Sequence, residues 1–147
     1  MSQSPKIIAI VPVFNEEKMV VGVLDSIYPR VQHLIVVNDG STDSSLAKIN
    51  VWMEKKKNVH ILSLKKNVGA SGALLRAYVL LLRLAEEGVI SEMDLAIELD
   101  ADGQHDPRYI PELYQVWLKT RVDVVQACRD FSNYPAYKVF GNRFLSL

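Results

Sequence analysis

The stretch Asp100-Ala101-Asp102-Gly103-Gln104-His105-Asp106-Pro107 follows a short apolar run, Leu95-Ala96-Ile97-Glu98-Leu99, and precedes a segment that reads as a helix. The apolar run has the length of a buried strand. Two carboxylates one residue apart at the end of such a strand concentrate negative charge, which is costly unless a cation or a solvated cleft offsets it. An Asp-x-Asp pair near a glycine suggests an EF-hand calcium loop, which requires an oxygen ligand at its fifth position, glycine at its sixth and glutamate at its twelfth. Those positions are Gln104, His105 and Pro111 here, so the calcium loop is excluded. A Mg²⁺ or Mn²⁺ site, built from one or two carboxylates and completed by substrate phosphates, fits better. A surface turn with solvated aspartates is the plain alternative, and His105 reads as an exposed turn histidine rather than a ligand.

Upstream, the chain alternates strands and helices. Lys6 to Phe14 is a continuous β-branched run, apolar on both faces, as in a central parallel strand; Pro12 should end its ladder pairing. Asn15-Glu16-Glu17 is expected to open a helix to about Tyr28, with Asn15 as its cap. His33 to Val37 forms a second buried strand and ends in the polar turn Asn38-Asp39-Gly40-Ser41-Thr42-Asp43. A helix from about Ser44 to Lys56 follows, with Leu46, Ile49, Trp52 and Met53 at helical spacing. Asn58 to Leu64 is a third strand. The glycine-bearing loop Lys65 to Ala73 leads into a long helix that Gly88 should cap. Beyond the acidic stretch, Asp106 and Pro107 suit the start of a helix to about Lys119. Asp123 to Cys128 reads as a fifth strand ending at Arg129, and residues 130–147 as a loop turning helical near Tyr137.

This alternation predicts βαβ units and an α/β fold, a mostly parallel sheet with helices on both faces. In such sheets ligands bind outside the carboxyl ends of the strands. Each polar motif falls at such an end: Asn15-Glu16, Asn38-Asp39-Gly40, Lys65 to Gly72, Asp100 to Gln104, and Arg129. Five loops far apart in sequence should therefore meet on one rim. There Asp39 can hydrogen-bond a base or ribose, Pro12 and Phe14 can wall the base, and Glu16 can accept from a ribose hydroxyl; a cap and a turn would use the same residue types. Gly69 and Gly72 permit close approach at a helix N-terminus, where anions are favoured, or only tight packing of that helix on the sheet. The loop is neither a Walker loop nor a dinucleotide fingerprint.

Composition narrows the class. The 147 residues suit one domain, and 17 Lys+Arg balance 17 Asp+Glu, so no basic field points to nucleic acid. Lys55-Lys56-Lys57 reads as a solvated helix end. The single cysteine, Cys128, lies in an apolar run and reads as a small core residue; no intrachain disulfide can form, which fits a reducing compartment. The N-terminus lacks the apolar core of a signal peptide, and the most apolar helical stretch, Ala73 to Ala85, contains Arg76 and Arg83 and is too short to span a bilayer. A cytoplasmic protein is expected, with peripheral contact at the membrane face left open.

Four motifs in order carry a resemblance: Val11-Pro12-Val13-Phe14-Asn15-Glu16, then Val36-Val37-Asn38-Asp39-Gly40-Ser41-Thr42-Asp43, then Asn67-Val68-Gly69, then Asp100 to Pro107. The pattern resembles family 2 glycosyltransferases of the GT-A fold, above all the polyprenyl- or dolichyl-phosphate mannosyl- and glucosyltransferase branch, where Asp-Ala-Asp-x-Gln-His-x-Pro is typical. The resemblance implies a Rossmann-like nucleotide-diphospho-sugar transferase fold and places Pro12, Phe14 and Glu16 at the nucleoside, Val37 and Asp39 at base and ribose, and Gly69 in the nucleotide-sugar site. It places Asp100, Ala101 and Asp102 at the diphosphate and metal, with Asp102 and Gln104 as the direct metal ligands beside Asp100. Arg129 takes the place of the arginine in the family's Gly-Ser-Arg motif, a cationic partner for phosphate that here follows Ala127-Cys128.

The implied function is metal-dependent transfer of a hexose from a GDP- or UDP-sugar to a polyprenyl phosphate, with inversion and with Asp100, Asp102 and Arg129 in the catalytic site. The whole chain, 1–147, reads as one nucleotide-sugar-binding domain: a βα core over 6–129 and the start of an acceptor half over 130–147. Family members continue further, so the chain reads as the nucleotide-binding half, to be completed by a missing C-terminal segment or a partner chain. A nucleotide-sugar-binding fragment without independent activity is the alternative. A receiver-like domain using the acidic cluster for Mg²⁺ would leave Pro12 to Glu16 unexplained.

Overall fold

The computed structural model describes residues 4–127. Four strands, β1 (Ile7–Val13), β2 (His33–Asn38), β3 (Val59–Ser63) and β4 (Leu95–Glu98), form one sheet in the order β3-β2-β1-β4, with every pairing parallel. The helices are α1 (Val20–Ile27), α2 (Ser45–Met53), α3 (Ala70–Glu86) and α4 (Ile110–Thr120), with short 3-10 turns at Tyr28–Arg30 and Pro107–Tyr109.

β1 is central because both of its faces are apolar. Ile7, Ala9, Val11 and Val13 pack with Val20, Leu24 and Ile27 of α1, Ile49 of α2 and Ile110 of α4. Ile8 and Ile10 point the other way, into a second core with Ile35, Val37 and Ala73, Ala77 and Leu84 of α3. An unbroken β-branched run is what a strand between two helical layers needs, since each side chain taken from water contributes roughly 1.5–3 kcal/mol. The expected three-layer α/β arrangement is therefore present, and the switch in strand order lies between β1 and β4.

Several local expectations differ from the structure. Pro12 does not end the ladder: β1 runs on to Val13, and Pro12 keeps register with Val37 because a parallel pairing does not require its missing N–H at that position. Asn15 is not a helix cap. It takes a left-handed φ of 57°, and α1 starts five residues later at Val20. Its side chain is used instead by the neighbouring loop, described below. α2 ends at Met53; Lys56 folds back over the rings of Tyr28 (4.8 Å) and Trp52 (5.1 Å), 3.7 Å from Asp25 Oδ1, while Lys55 and Lys57 are solvated. α3 starts at Ala70, so Gly72 lies inside its first turn.

Residues 121–127 are not a strand. They make no ladder bonds and Val124 is 78% exposed, so an apolar β-branched pattern without a neighbouring strand edge does not extend the sheet. Cys128, Arg129 and the helix expected near Tyr137 lie outside the described residues. Gly88 caps α3 as expected, at φ 72° with its N–H on the Ala85 carbonyl (3.0 Å). Asp106 likewise caps the Pro107 turn by accepting from Arg108 N (3.0 Å).

Candidate functional site

The four strands point the same way, so the segments following them share one rim. The β1 and β2 loops are tied together. Asn15 Oδ1 accepts from the Thr42 amide (2.8 Å) and the Asp43 amide (3.4 Å), and Asn15 N–H donates to Ser41 Oγ (3.1 Å). Glu16 N–H donates to Ser45 Oγ (2.8 Å), Glu17 N–H to Asp43 Oδ2 (3.0 Å), and Ser44 N–H returns a bond to Glu17 Oε2 (3.0 Å). Asp43 also accepts the Ser45 amide at Oδ1 (2.9 Å). Desolvation pushes the Asp43 carboxyl up, but the bonds from Ser45 and Glu17 outweigh it and hold the pKa below its ordinary value. Asn15, Ser41, Asp43 and Ser45 are thus a clasp between two loops. Sequence reasoning missed this role; the signal was the density of Ser, Thr and Asp after Gly40, residues that readily bond nearby backbone.

The β2 loop is joined in turn to the loop after β3. Asp39 is 3% exposed, and its Oδ1 accepts the Val68 amide (2.8 Å). Gly40, at φ 65°, brings its backbone against Lys66 and Asn67 so closely that a Cβ would sit 2.5 Å from the Lys66 carbonyl carbon. Gly69 stands at the N-cap position of α3 with φ 81°, its N–H on Asn67 Oδ1 (3.0 Å). Lys65 and Lys66 are exposed on this rim.

On the other side of β1, the acidic loop lies beside α1. Gly103, at φ 77°, turns it so that an added Cβ would meet Met19 Cε at 3.0 Å. A cleft of about 420 Å³ separates α1 from this loop, lined among others by Lys18, Met19, Val23, His105 and Arg108. Within the loop, Gln104 N–H donates to Asp102 Oδ1 (2.8 Å) and Asp100 N–H to His105 Nδ1 (2.9 Å). Asp106 is held by Arg108 through Nε (3.0 and 2.9 Å) and Nη2 (2.7 Å), and this pairing keeps the Asp106 carboxyl below its usual range. Just upstream, Tyr78 of α3 donates to Glu98 of β4; burial and that carboxylate push the Tyr78 phenol up to about 12.

The expected site residues separate into two groups. Phe14 (44% exposed), half-buried Pro12, Glu16 and Asp102, and exposed Asp100 and Gln104 lie on the rim. Val37 and Ala101 do not present their side chains there. Val37 is fully buried in the α3-facing core and Ala101, 3% exposed, belongs to the α1-facing core, so only their backbones can meet a ligand. A strand end leaves its last core-facing residue inside even when its backbone reaches the rim.

Among the described residues no group of three or more His, Cys, Asp or Glu side chains is arranged to hold a metal. Two carboxylates with an amide oxygen suit a hard cation that takes its remaining ligands from phosphate and water.

The sequence profile of glycosyl transferase family 2 matches residues 8–144. The chain belongs to glycosyltransferase family 2. It is 32% identical over 141 residues to an uncharacterized protein of Methanocaldococcus jannaschii, covering 95% of this chain and 59% of that protein. It is 30% identical over 156 residues to the UDP-N-acetylglucosamine–dolichyl-phosphate N-acetylglucosaminyltransferase of Methanococcus voltae, covering 93% and 59%. The dodecaprenyl-phosphate galacturonate synthase of Rhizobium johnstonii is 28% identical over 135 residues, covering 86% and 37%. The expected similarity to the polyprenyl-phosphate branch is therefore met. The family 2 chain spans little more than half the length of the first two relatives.

Glucosyl-3-phosphoglycerate synthase from Mycobacterium tuberculosis, solved with UDP, superposes with a TM-score of 0.61 at 23% identity, over 97% of this chain and 50% of its own. The fold is thus the expected GT-A type. Among the described residues of this family member no helix is long and apolar enough to cross a membrane.

Proposed function

We propose that the chain forms the nucleotide-sugar site of a glycosyltransferase that moves a hexose from a nucleotide diphosphate to a polyprenyl phosphate, with inversion and with Mg²⁺ or Mn²⁺. One observation carries the reading: Asp39 and the Asp100–Asp102 pair stand at the carboxyl ends of β2 and β4, on either side of β1, where the strand order switches and α/β sheets take their ligands. The named activities of the Methanococcus and Rhizobium relatives support the lipid-phosphate acceptor, and the UDP-bound neighbour supports a nucleotide ligand.

In this reading Phe14 and Pro12 wall the base, Glu16 accepts from ribose, and Asp39, buried with Oδ1 on the Val68 amide, meets base or ribose only with its second carboxylate oxygen. Gly69 lets the helix entry approach the diphosphate. Asp100 and Asp102 with Gln104 would hold the metal, whose charge when bound offsets that of the departing diphosphate. Arg129 would contribute a further cation to phosphate. The acceptor oxygen forms its bond to the anomeric carbon as the bond from that carbon to the diphosphate breaks on the opposite face. A phosphate acceptor is already anionic, so no strong general base is required of the chain.

The test is calorimetry of the full chain with UDP- and GDP-sugars, with and without Mn²⁺, followed by a transfer assay onto a polyprenyl phosphate. Metal-dependent binding with transfer is the expected result. Binding without transfer supports the second reading, a nucleotide-sugar-binding fragment without independent activity. No metal-dependent binding to any nucleotide overturns both.

A further inference from the structure

We propose that His105 is a positioning residue that sets the backbone from which the Asp100 carboxylate projects; the proposal rests on the reading of Asp100–Asp102 as the diphosphate and metal loop. Leu99 N–H is the last amide of this segment bonded to β1, on the Ile10 carbonyl at 3.0 Å. Donation to β1 alternates along the strand, so the next amide, that of Asp100, points away from β1 and takes its acceptor from elsewhere. His105 Nδ1 supplies it at 2.9 Å, closing Asp100 to His105 into a ring around the Gly103 bend.

A ring nitrogen that accepts carries no proton, so the neutral imidazole has its proton on Nε2. Nε2 stands 3.6 Å from Asp100 Oδ2. The same ring thus holds the Asp100 amide with one nitrogen and faces the Asp100 carboxylate with the other. The second carboxylate is tied within the same loop, because Asp102 Oδ1 accepts the Gln104 amide. Just beyond His105, the Asp106–Arg108 fork and the Pro107 turn anchor the chain. This geometry gives His105 a use other than metal ligation or simple exposure: both nitrogens are directed at Asp100.

Two variants of the full chain test it. His105→Asn can return an oxygen acceptor near the Nδ1 position, whereas His105→Leu keeps comparable bulk without one. Hydrogen exchange of the Asp100 amide, followed by NMR without ligand, should be slow in the wild type and His105→Asn and about tenfold faster in His105→Leu, the size of one lost hydrogen bond. Calorimetry with UDP and with GDP in MnCl₂ should show about a tenfold loss of affinity for His105→Leu and recovery to within about threefold for His105→Asn, with the His105→Leu melting temperature lower by no more than about 6 °C. Equal exchange in wild type and His105→Leu, or equal losses of affinity in both variants, overturns the proposal. A wild type that binds neither nucleotide overturns the functional reading, while the exchange arm still upholds or overturns the His105 contact.

Discussion

Gly40→Ala should be costly, and its cost can be built from two terms. The residue sits at φ 65°, where a Cβ crowds the following carbonyl, so alanine is strained by about 1–2 kcal/mol. The new Cβ would also lie 2.5 Å from the Lys66 carbonyl carbon and 2.7 Å from Asn67 N, backbone atoms that cannot rotate away. Overpacking of this kind adds about 1–3 kcal/mol. The sum is about 3 kcal/mol, which at roughly 4 °C per kcal/mol for a domain of this size lowers the melting temperature by about 12 °C.

Gly88→Ala is the control. It has a similar φ of 72° but no heavy atom within 4 Å of where a Cβ would stand, so only the strain applies and the fall should be about 6 °C. Thermal unfolding by circular dichroism measures both. The displaced Lys66–Asn67 backbone should also draw the Val68 amide away from Asp39, so Gly40→Ala should weaken nucleotide binding and Gly88→Ala should not. Equal melting temperatures for the two variants, or a Gly40→Ala protein within about 2 °C of wild type, would refute the close-approach argument.

Asp102→Asn keeps an Oδ1 acceptor for the Gln104 amide while removing the charge, so the fold should persist and Mn²⁺-dependent nucleotide binding should vanish in calorimetry; retained affinity would remove Asp102 from the metal site. Asn15→Ala loses the clasp bonds to Thr42 and Asp43 and strains a φ of 57°, for about 2 kcal/mol in a urea titration, and Asn15→Gly should recover the strain part alone. Stability should decline with acid through two histidines. His33 and His60 stack with centroids 5.9 Å apart, and among the described residues His33 Nδ1 and His60 Nε2 are buried without a hydrogen-bond partner. Burial lowers both pKa values from 6.5, helped for His33 by Lys6 and by His60 and opposed by Asp94, and opposed for His60 by Glu87. The unfolded chain therefore binds more protons as pH falls below 6.5, so the urea midpoint should drop there and level off below the folded-state values. A double His33→Leu, His60→Leu variant should flatten that dependence, and an unflattened profile would place the acid sensitivity elsewhere.

Much of the fold is legible because its central strand is unambiguous. Lys6 to Phe14 is apolar on both faces, and only a strand between two helical layers satisfies that pattern. Turn residues then place the loops, which is why Gly88 and Asp106 cap where expected. Asn15 is not legible in the same way. A cap and a loop clasp use the same side-chain chemistry, and the partner that decides between them, Thr42, is 27 residues away. Val124 and Val125 mislead because strand propensity describes a residue that fits a pleated surface and does not supply an edge to pair with.

The acidic stretch shows the same division. Spacing by itself determined that Asp100 and Asp102 stand at a strand end and that the stretch does not follow the EF-hand pattern. It also determined the family resemblance, because motif order is a property of the chain. Only the tertiary structure decided that Val37 and Ala101 face the core, that Asp39 is tied to Val68, and that His105 turns both nitrogens on Asp100. Those facts depend on which side of a strand a residue falls and on contacts between segments distant in the chain, and both are set by how the layers close on one another.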